Sequence, residues 1–246
     1  MTLEIALIAV GVLIILVGIA SGITSIWLTI KYFRFNRREN SLGLTGMQIA
    51  RKILDDNGLW HIKVKRTGSL FFGNSYSHYF KKVRLRGLIR HETSLTSIGL
   101  GAQKASLAIL DKEGDKDMKK RIRLVPLMTF GPFAFIPLIL IGGLLDYFLF
   151  NGSGICTLVL GAIGLLFYVY AIILSVLTLK TEKKAQNRAY DILERDYGVA
   201  SDELSALKEL FRLYNIQYIN DIIISSLELI HTILKIAIAV KGKSDD

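Results

Sequence analysis

Ile5-Ala6-Leu7-Ile8-Ala9-Val10-Gly11-Val12-Leu13-Ile14-Ile15-Leu16-Val17-Gly18-Ile19-Ala20-Ser21-Gly22-Ile23-Thr24-Ser25-Ile26-Trp27-Leu28-Thr29-Ile30 runs without a charge into Lys31, Arg34, Arg37 and Arg38. A helix of about 20 apolar residues crosses a hydrocarbon core, so this stretch predicts a membrane anchor. Its apolar length exceeds the roughly 7 to 15 residues of a secretory signal core, so the anchor is expected to be retained. Leu124 to Phe150 and Ile155 to Leu179 are two further runs of spanning length. With 51% hydrophobic residues and only three prolines in 246, and a mean hydropathy of +0.41, the chain reads as an integral membrane protein.

Basic residues set the expected orientation. Only Glu4 precedes the first run, whereas Lys119, Lys120, Arg121 and Arg123 precede the second and Lys180, Lys183 and Lys184 follow the third. The positive-inside rule then places the amino terminus outside and both sizeable polar segments in the cytoplasm. The Asn151-Gly152-Ser153-Gly154 stretch between the second and third runs is uncharged and reads as a short outer turn rather than a glycosylated site. Asp146, about one turn inside the outer end of its run, is expected to reach interfacial water or to face a neighbouring helix, its shallow depth favouring the first. The net charge of +10 sits at the predicted span ends, where anionic headgroups account for it; no nucleic-acid motif accompanies it. Cys156, the single cysteine, excludes an internal disulfide and a cysteine metal cluster.

The fourth apolar segment, Ile216 to Val240, carries Asp221, Ser225, Glu228, Thr232 and Lys235 at alternating steps of four and three, with His231 beside them. Such a seam does not face lipid cheaply. The segment either packs the seam into a bundle or oligomer, or lies along the cytoplasmic surface. Gly18 and Gly22 in the first run have the spacing that lets helices approach closely, so they join Asp221, Ser225, Glu228, His231, Thr232 and Lys235 as candidate helix or partner contacts.

Between the spans, Leu44 to Asn57 reads as a helix capped by Thr45, and His61–Arg66 and Lys81–Leu85 alternate as short strands that pair as a hairpin over Gly68 to Ser77. A helix continues through Ala102 to Arg121 with a break near Gly114, and Lys183–Tyr197 and Asp202–Asn215 read as two helices joined at Gly198. The expected organisation is an anchor (1–30), a cytoplasmic region (31–123), a membrane hairpin (124–180), cytoplasmic helices (181–215) and a terminal membrane or interfacial helix with its tail (216–246). In fold class this is a mainly α membrane protein of three to four transmembrane helices with a small α+β domain.

Several segments carry a resemblance. Leu44-Thr45-Gly46-Met47-Gln48-Ile49-Ala50-Arg51-Lys52-Ile53-Leu54, then Lys81-Lys82-Val83-Arg84-Leu85, Leu95 to Ile109 and Leu179-Lys180-Thr181-Glu182-Lys183-Lys184-Ala185-Gln186-Asn187-Arg188-Ala189 follow in the order found in the YugP-like, membrane-anchored neutral zinc metallopeptidases of bacteria. The chain resembles that family over nearly its whole length, which implies a bacterial cell membrane and a zincin-like cytoplasmic domain. A zinc helix needs two histidines four residues apart with a glutamate beside the first. In this sequence the corresponding slots read Gln103, Lys104 and Leu107. Glu182 stands at the family's acidic third ligand, Lys184 occupies a second acidic slot, and Asn74-Ser75-Tyr76-Ser77-His78 keeps the tyrosine of an otherwise charged family run. His91-Glu92-Thr93-Ser94-Leu95 begins like the zinc signature, yet its fifth residue is leucine, and it reads as a polar loop.

From these substitutions the sequence predicts a chain that is not an enzyme, holds no zinc or other cofactor, and serves as a scaffold, adaptor or regulator of a membrane-protein or protease partner, or of its own oligomer. A divergent metallopeptidase recruiting Glu182, His78 or His91, or completed by a partner subunit, is the alternative. A helical-bundle channel or transporter subunit using the Asp221–Lys235 seam is a third reading.

Overall fold

The computed structural model of the chain describes residues 3–67, 73–126 and 135–244. The chain forms α1 (Leu3–Asn36), α2 (Gly46–Asp56), β1 (Lys63–Arg66), β2 (Ser75–Ser77), β3 (Lys82–Leu85), α3 (Gly87–His91), α4 (Leu95–Lys112), α5 (Lys116–Leu124), α6 (Phe135–Leu149), α7 (Ile155–Arg195) and α8 (Ser201–Ser244). The protein is mainly helical with one small sheet. It divides into two compact units: the first holds residues 1–22, 123–176 and 218–246, the second 23–122 and 177–217.

In the first unit, α1, α7 and α8 are each long and apolar enough to cross a membrane. The segment Ile216 to Val240 is thus not a separate helix, because α8 begins at Ser201 and no residue breaks it before the seam. The second run of the sequence appears as α6, 15 residues or about 22 Å of helix; residues 127–134 of that run lie outside the described residues. Asp146 is not at interfacial water. It is buried and caps α7, accepting from the backbone N–H groups of Cys156 (2.9 Å) and Thr157 (2.8 Å) and from the hydroxyls of Thr157 (2.7 Å) and Ser153 (3.1 Å). The α7 N-terminus offers orphan donors at this point, and an acidic side chain from the preceding helix satisfies them better than water does.

The second unit is built on one core. Thr45 caps α2 in a reciprocal box with Gln48, and Ile49, Ala50, Ile53 and Leu54 form a fully buried stripe. The backbones of α2 and α4 meet at glycines. A methyl on Gly46 would come within 2.1 Å of the Ile89 carbonyl oxygen, and one on Gly101 within 2.4 Å of the Gly46 carbonyl oxygen. All of α4 from Leu95 to Leu110 is buried, and among its polar residues Ser97, Gln103 and Lys104 are hydrogen-bonded inside the protein. Gly114, at φ 72°, separates α4 from α5, as the sequence suggests.

The sheet corrects one expectation. Its order is β1-β3-β2, with β1 parallel to β3 (Val64 opposite Val83) and β2 antiparallel to β3 (Tyr76 opposite Val83). The hairpin is therefore β2–β3, closed by a turn in which Lys81 adopts φ 44°, and β1 takes the other edge of β3. A three-residue strand is too short to show alternation in a sequence, so β2 went unread. The His91 segment also differs: His91 ends the short helix α3 instead of lying in a loop, and Glu92 accepts a hydrogen bond from Asn36 (2.6 Å).

Candidate functional site

In the second unit α4, α5 and α7 meet at Glu182. Lys104 Nζ lies 2.7 Å from Glu182 Oε2 and donates to it, Gln103 Nε2 donates to the same oxygen at 2.9 Å, and Arg121 Nη2 reaches Oε1 at 3.4 Å. Arg121 is fixed in turn by Thr181, whose hydroxyl accepts from Nη1 at 2.8 Å. Side-chain exposures of 9% for Lys104, 8% for Glu182 and 16% for Arg121 put the cluster inside the protein. Burial by itself raises the Glu182 carboxyl, and the charges and hydrogen bonds of Lys104 and Arg121 more than reverse it. The group is held below the ordinary carboxylate range, as a carboxylate.

Two adjacent residues of one helix thus address one carboxylate on another. Gln103 and Lys104 are about 100° apart on α4 and bracket Glu182 from two directions, while Leu107, on the same face of the helix one turn later, is fully buried. The structure therefore brings three of the predicted residues together, Gln103, Lys104 and Glu182. Lys184 is elsewhere: it pairs with Asp115 (2.6 Å) and Asp117 (2.8 Å), on the connection into α5 and its first turn. It does not contest the cation place at Glu182. Arg121 and Thr181 were missed by sequence reasoning, since Arg121 sits among basic residues whose placement membrane orientation already explains.

Beside this cluster the last turn of α4 holds a second constellation. Asp111 Oδ2 accepts from the Tyr76 hydroxyl at 2.6 Å and lies 2.6 Å from His78 Nδ1. Burial, then the hydrogen bond and charge of Asp111, push the Tyr76 phenol far above its usual range, so it stays a donor. A carboxylate on Nδ1 fixes an imidazole's orientation and leaves Nε2 to face outward. His91 does not join it.

The residues at Glu182 do not fit a divalent metal. Zinc takes lone pairs from imidazole, thiolate or carboxylate, and here the carboxylate's oxygens face an ammonium, a guanidinium and an amide N–H, the first two of which have no lone pair to give. Among the described residues no group of three or more His, Cys, Asp or Glu side chains is placed to hold a metal ion.

Comparison with known proteins places this frame. Residues 10–237 match the family described as "Putative neutral zinc metallopeptidase", and the chain belongs to that family. It is 24% identical over 227 residues to the "Putative membrane protease YugP" of Bacillus subtilis (strain 168), an alignment that covers 90% of this chain and 96% of the relative. No solved structure matches. These findings correct the expectation that the chain is not an enzyme: both the family and the relative are named as peptidases, and the names point to an enzyme.

Proposed function

We propose that this member of the zinc metallopeptidase family is the membrane-embedded, polypeptide-holding subunit of a peptidase assembly. Its cytoplasmic face and helix surfaces serve as scaffold or adaptor for a membrane or secreted polypeptide and for a partner subunit, and that partner supplies the zinc ligands for hydrolysis. The observation that carries this reading is the saturation of Glu182 by Lys104, Gln103 and Arg121. The cluster is a rigid cross-link between α4, α5 and α7, suited to positioning surfaces and ill suited to gripping a cation. In this reading the amino terminus lies outside a bacterial cell membrane and the Glu182 unit faces the cytoplasm, consistent with the basic residues at the span ends.

The second reading is a single-chain, divergent metallopeptidase, and the oriented His78–Asp111 pair favours it. The two separate in one experiment. The protein is purified from its own membrane in mild detergent, with partners, and again after a stringent wash that strips them, and both samples are assayed for zinc and for chelator-sensitive peptide hydrolysis. Hydrolysis and zinc that leave with the partners support the assembly. Zinc and hydrolysis that stay with the stripped chain and vanish in His78→Ala support the single-chain enzyme and overturn the first reading.

A further inference from the structure

The membrane-spanning unit has an open pocket of about 280 Å³ lined by residues of α6, α7 and α8, at which Glu228 is exposed. Phe135, Ile136 and Leu165 give its lining apolar surface, and Tyr168, Glu228 and His231 add polar groups. The Tyr168 hydroxyl donates to Glu228 Oε2 at 2.9 Å. Thr232, also at the wall, spends its hydroxyl on the Glu228 backbone carbonyl at 2.8 Å. Among the described residues, Glu228 Oε1 and both ring nitrogens of His231 have no hydrogen-bond partner, and no cation pairs with Glu228.

A carboxylate on a membrane helix with one neutral donor is costly, and something of opposite charge is expected to meet it. Lys235 of the same helix is seven residues on, about 10 Å along the axis. A second copy does not supply the charge either. A twofold axis along the membrane normal keeps each residue at its own depth, so Lys235 of a second copy stays as far from Glu228 along that axis as it is within one copy. The cavity has what an external cation needs: a carboxylate oxygen to take one N–H, an imidazole to take a second, and an aromatic and aliphatic wall for a compact apolar body. An anion is repelled by Glu228, and a neutral alcohol brings one donor and no charge.

We propose that this cavity is a binding site for a small hydrophobic amine in its protonated form, with its apolar body against Phe135, Ile136 and Leu165 and its ammonium on Glu228 Oε1 and His231. The site is independent of the peptidase assembly and stands whether or not that reading does. The test uses the full-length protein in phosphatidylcholine nanodiscs at neutral pH, with phenethylamine, 2-phenylethanol and phenylacetate as probes, read by saturation-transfer NMR and by thermal unfolding. Phenethylamine is expected to bind saturably and to raise the melting temperature, while the alcohol and the acid do neither. Glu228→Gln keeps an acceptor for Tyr168 and removes the charge, and is expected to weaken amine binding by roughly tenfold or more. Equal saturable binding of the alcohol and the amine by the wild-type protein overturns the proposal, as does unweakened amine binding by a folded Glu228→Gln variant or the absence of any saturable amine binding. Should Glu228→Gln fail to fold, Glu228→Asp replaces it: retained amine preference supports the site, and amine no better than alcohol sinks it.

Discussion

Glu182 and Glu228 are the same side chain on two long helices, and the protein treats them in opposite ways. Around Glu182, in the packed second unit, two cations and an amide supply donors to both carboxylate oxygens. Around Glu228, in the apolar first unit, one phenol does the work and one oxygen stays unmet among the described residues. Asp146, also in the first unit, shows that the apolar region is capable of full satisfaction, since the N-terminus of α7 and two hydroxyls surround it. A carboxylate with every partner supplied from within is a structural joint. One with a partner missing is where a ligand is to be sought.

The largest effect that sharpens this contrast is expected at Glu182. Glu182→Gln leaves Lys104 and Arg121 buried without their counter-charge, and removing one member of such a cluster costs about 3–5 kcal/mol. Chemical or thermal denaturation in detergent should show that loss, and a loss below about 1 kcal/mol would break the contrast. Next comes the glycine contact of the same unit. Gly46→Ala drives a methyl into the Ile89 carbonyl, a backbone atom that yields poorly, and is expected to cost about 1–3 kcal/mol. Gly18→Ala in α1 meets nothing within 4 Å and should leave the melting temperature unchanged. Gly22 has the same open surroundings, so among the described residues neither glycine makes the close helix contact their spacing suggests.

The pH dependence carries a definite sign. Because the folded state holds the Glu182 carboxyl below its ordinary range, it contributes stability that is present above the unfolded value, about 4.3 for a glutamate, and is lost as pH falls through the folded one. Wild-type protein should lose stability on acidification below about pH 4 more steeply than Glu182→Gln, and parallel acid profiles would count against the cluster. Among the charged residues the smallest effect is expected at Lys184. Its pairs with Asp115 and Asp117 are half exposed, so Lys184→Ala should change stability by less than about 1 kcal/mol.

Much of this molecule can be read from its residues, and the unread parts share a cause. The α1 and α7 spans, the Thr45 cap of α2 and the Gly114 break are local signals of apolar length, capping chemistry and backbone freedom. Gln103, Lys104 and Glu182 were marked as positions of one site by resemblance, and the structure does join them. Arg121, Thr181 and the Tyr76–Asp111–His78 group were not legible, because no spacing within one segment announces that side chains 33 to 61 residues apart in the chain will meet. The parallel pairing of β1 with β3 was hidden for the same reason. Asp146 was misread through depth alone, when the deciding fact was the helix terminus opposite it. The expectation of a non-enzyme came from three side chains on one helix, and the family match over residues 10–237 outweighs it.

Metal analysis of the stripped chain and of its Glu182→Gln variant, each equilibrated with zinc and washed, tests most directly whether Glu182 is a joint or a ligand. The variant should hold as little zinc as the wild type, since two cations already own that carboxylate. One equivalent of zinc on the wild-type chain that disappears with Glu182→Gln, in a variant that still folds, would contradict the account.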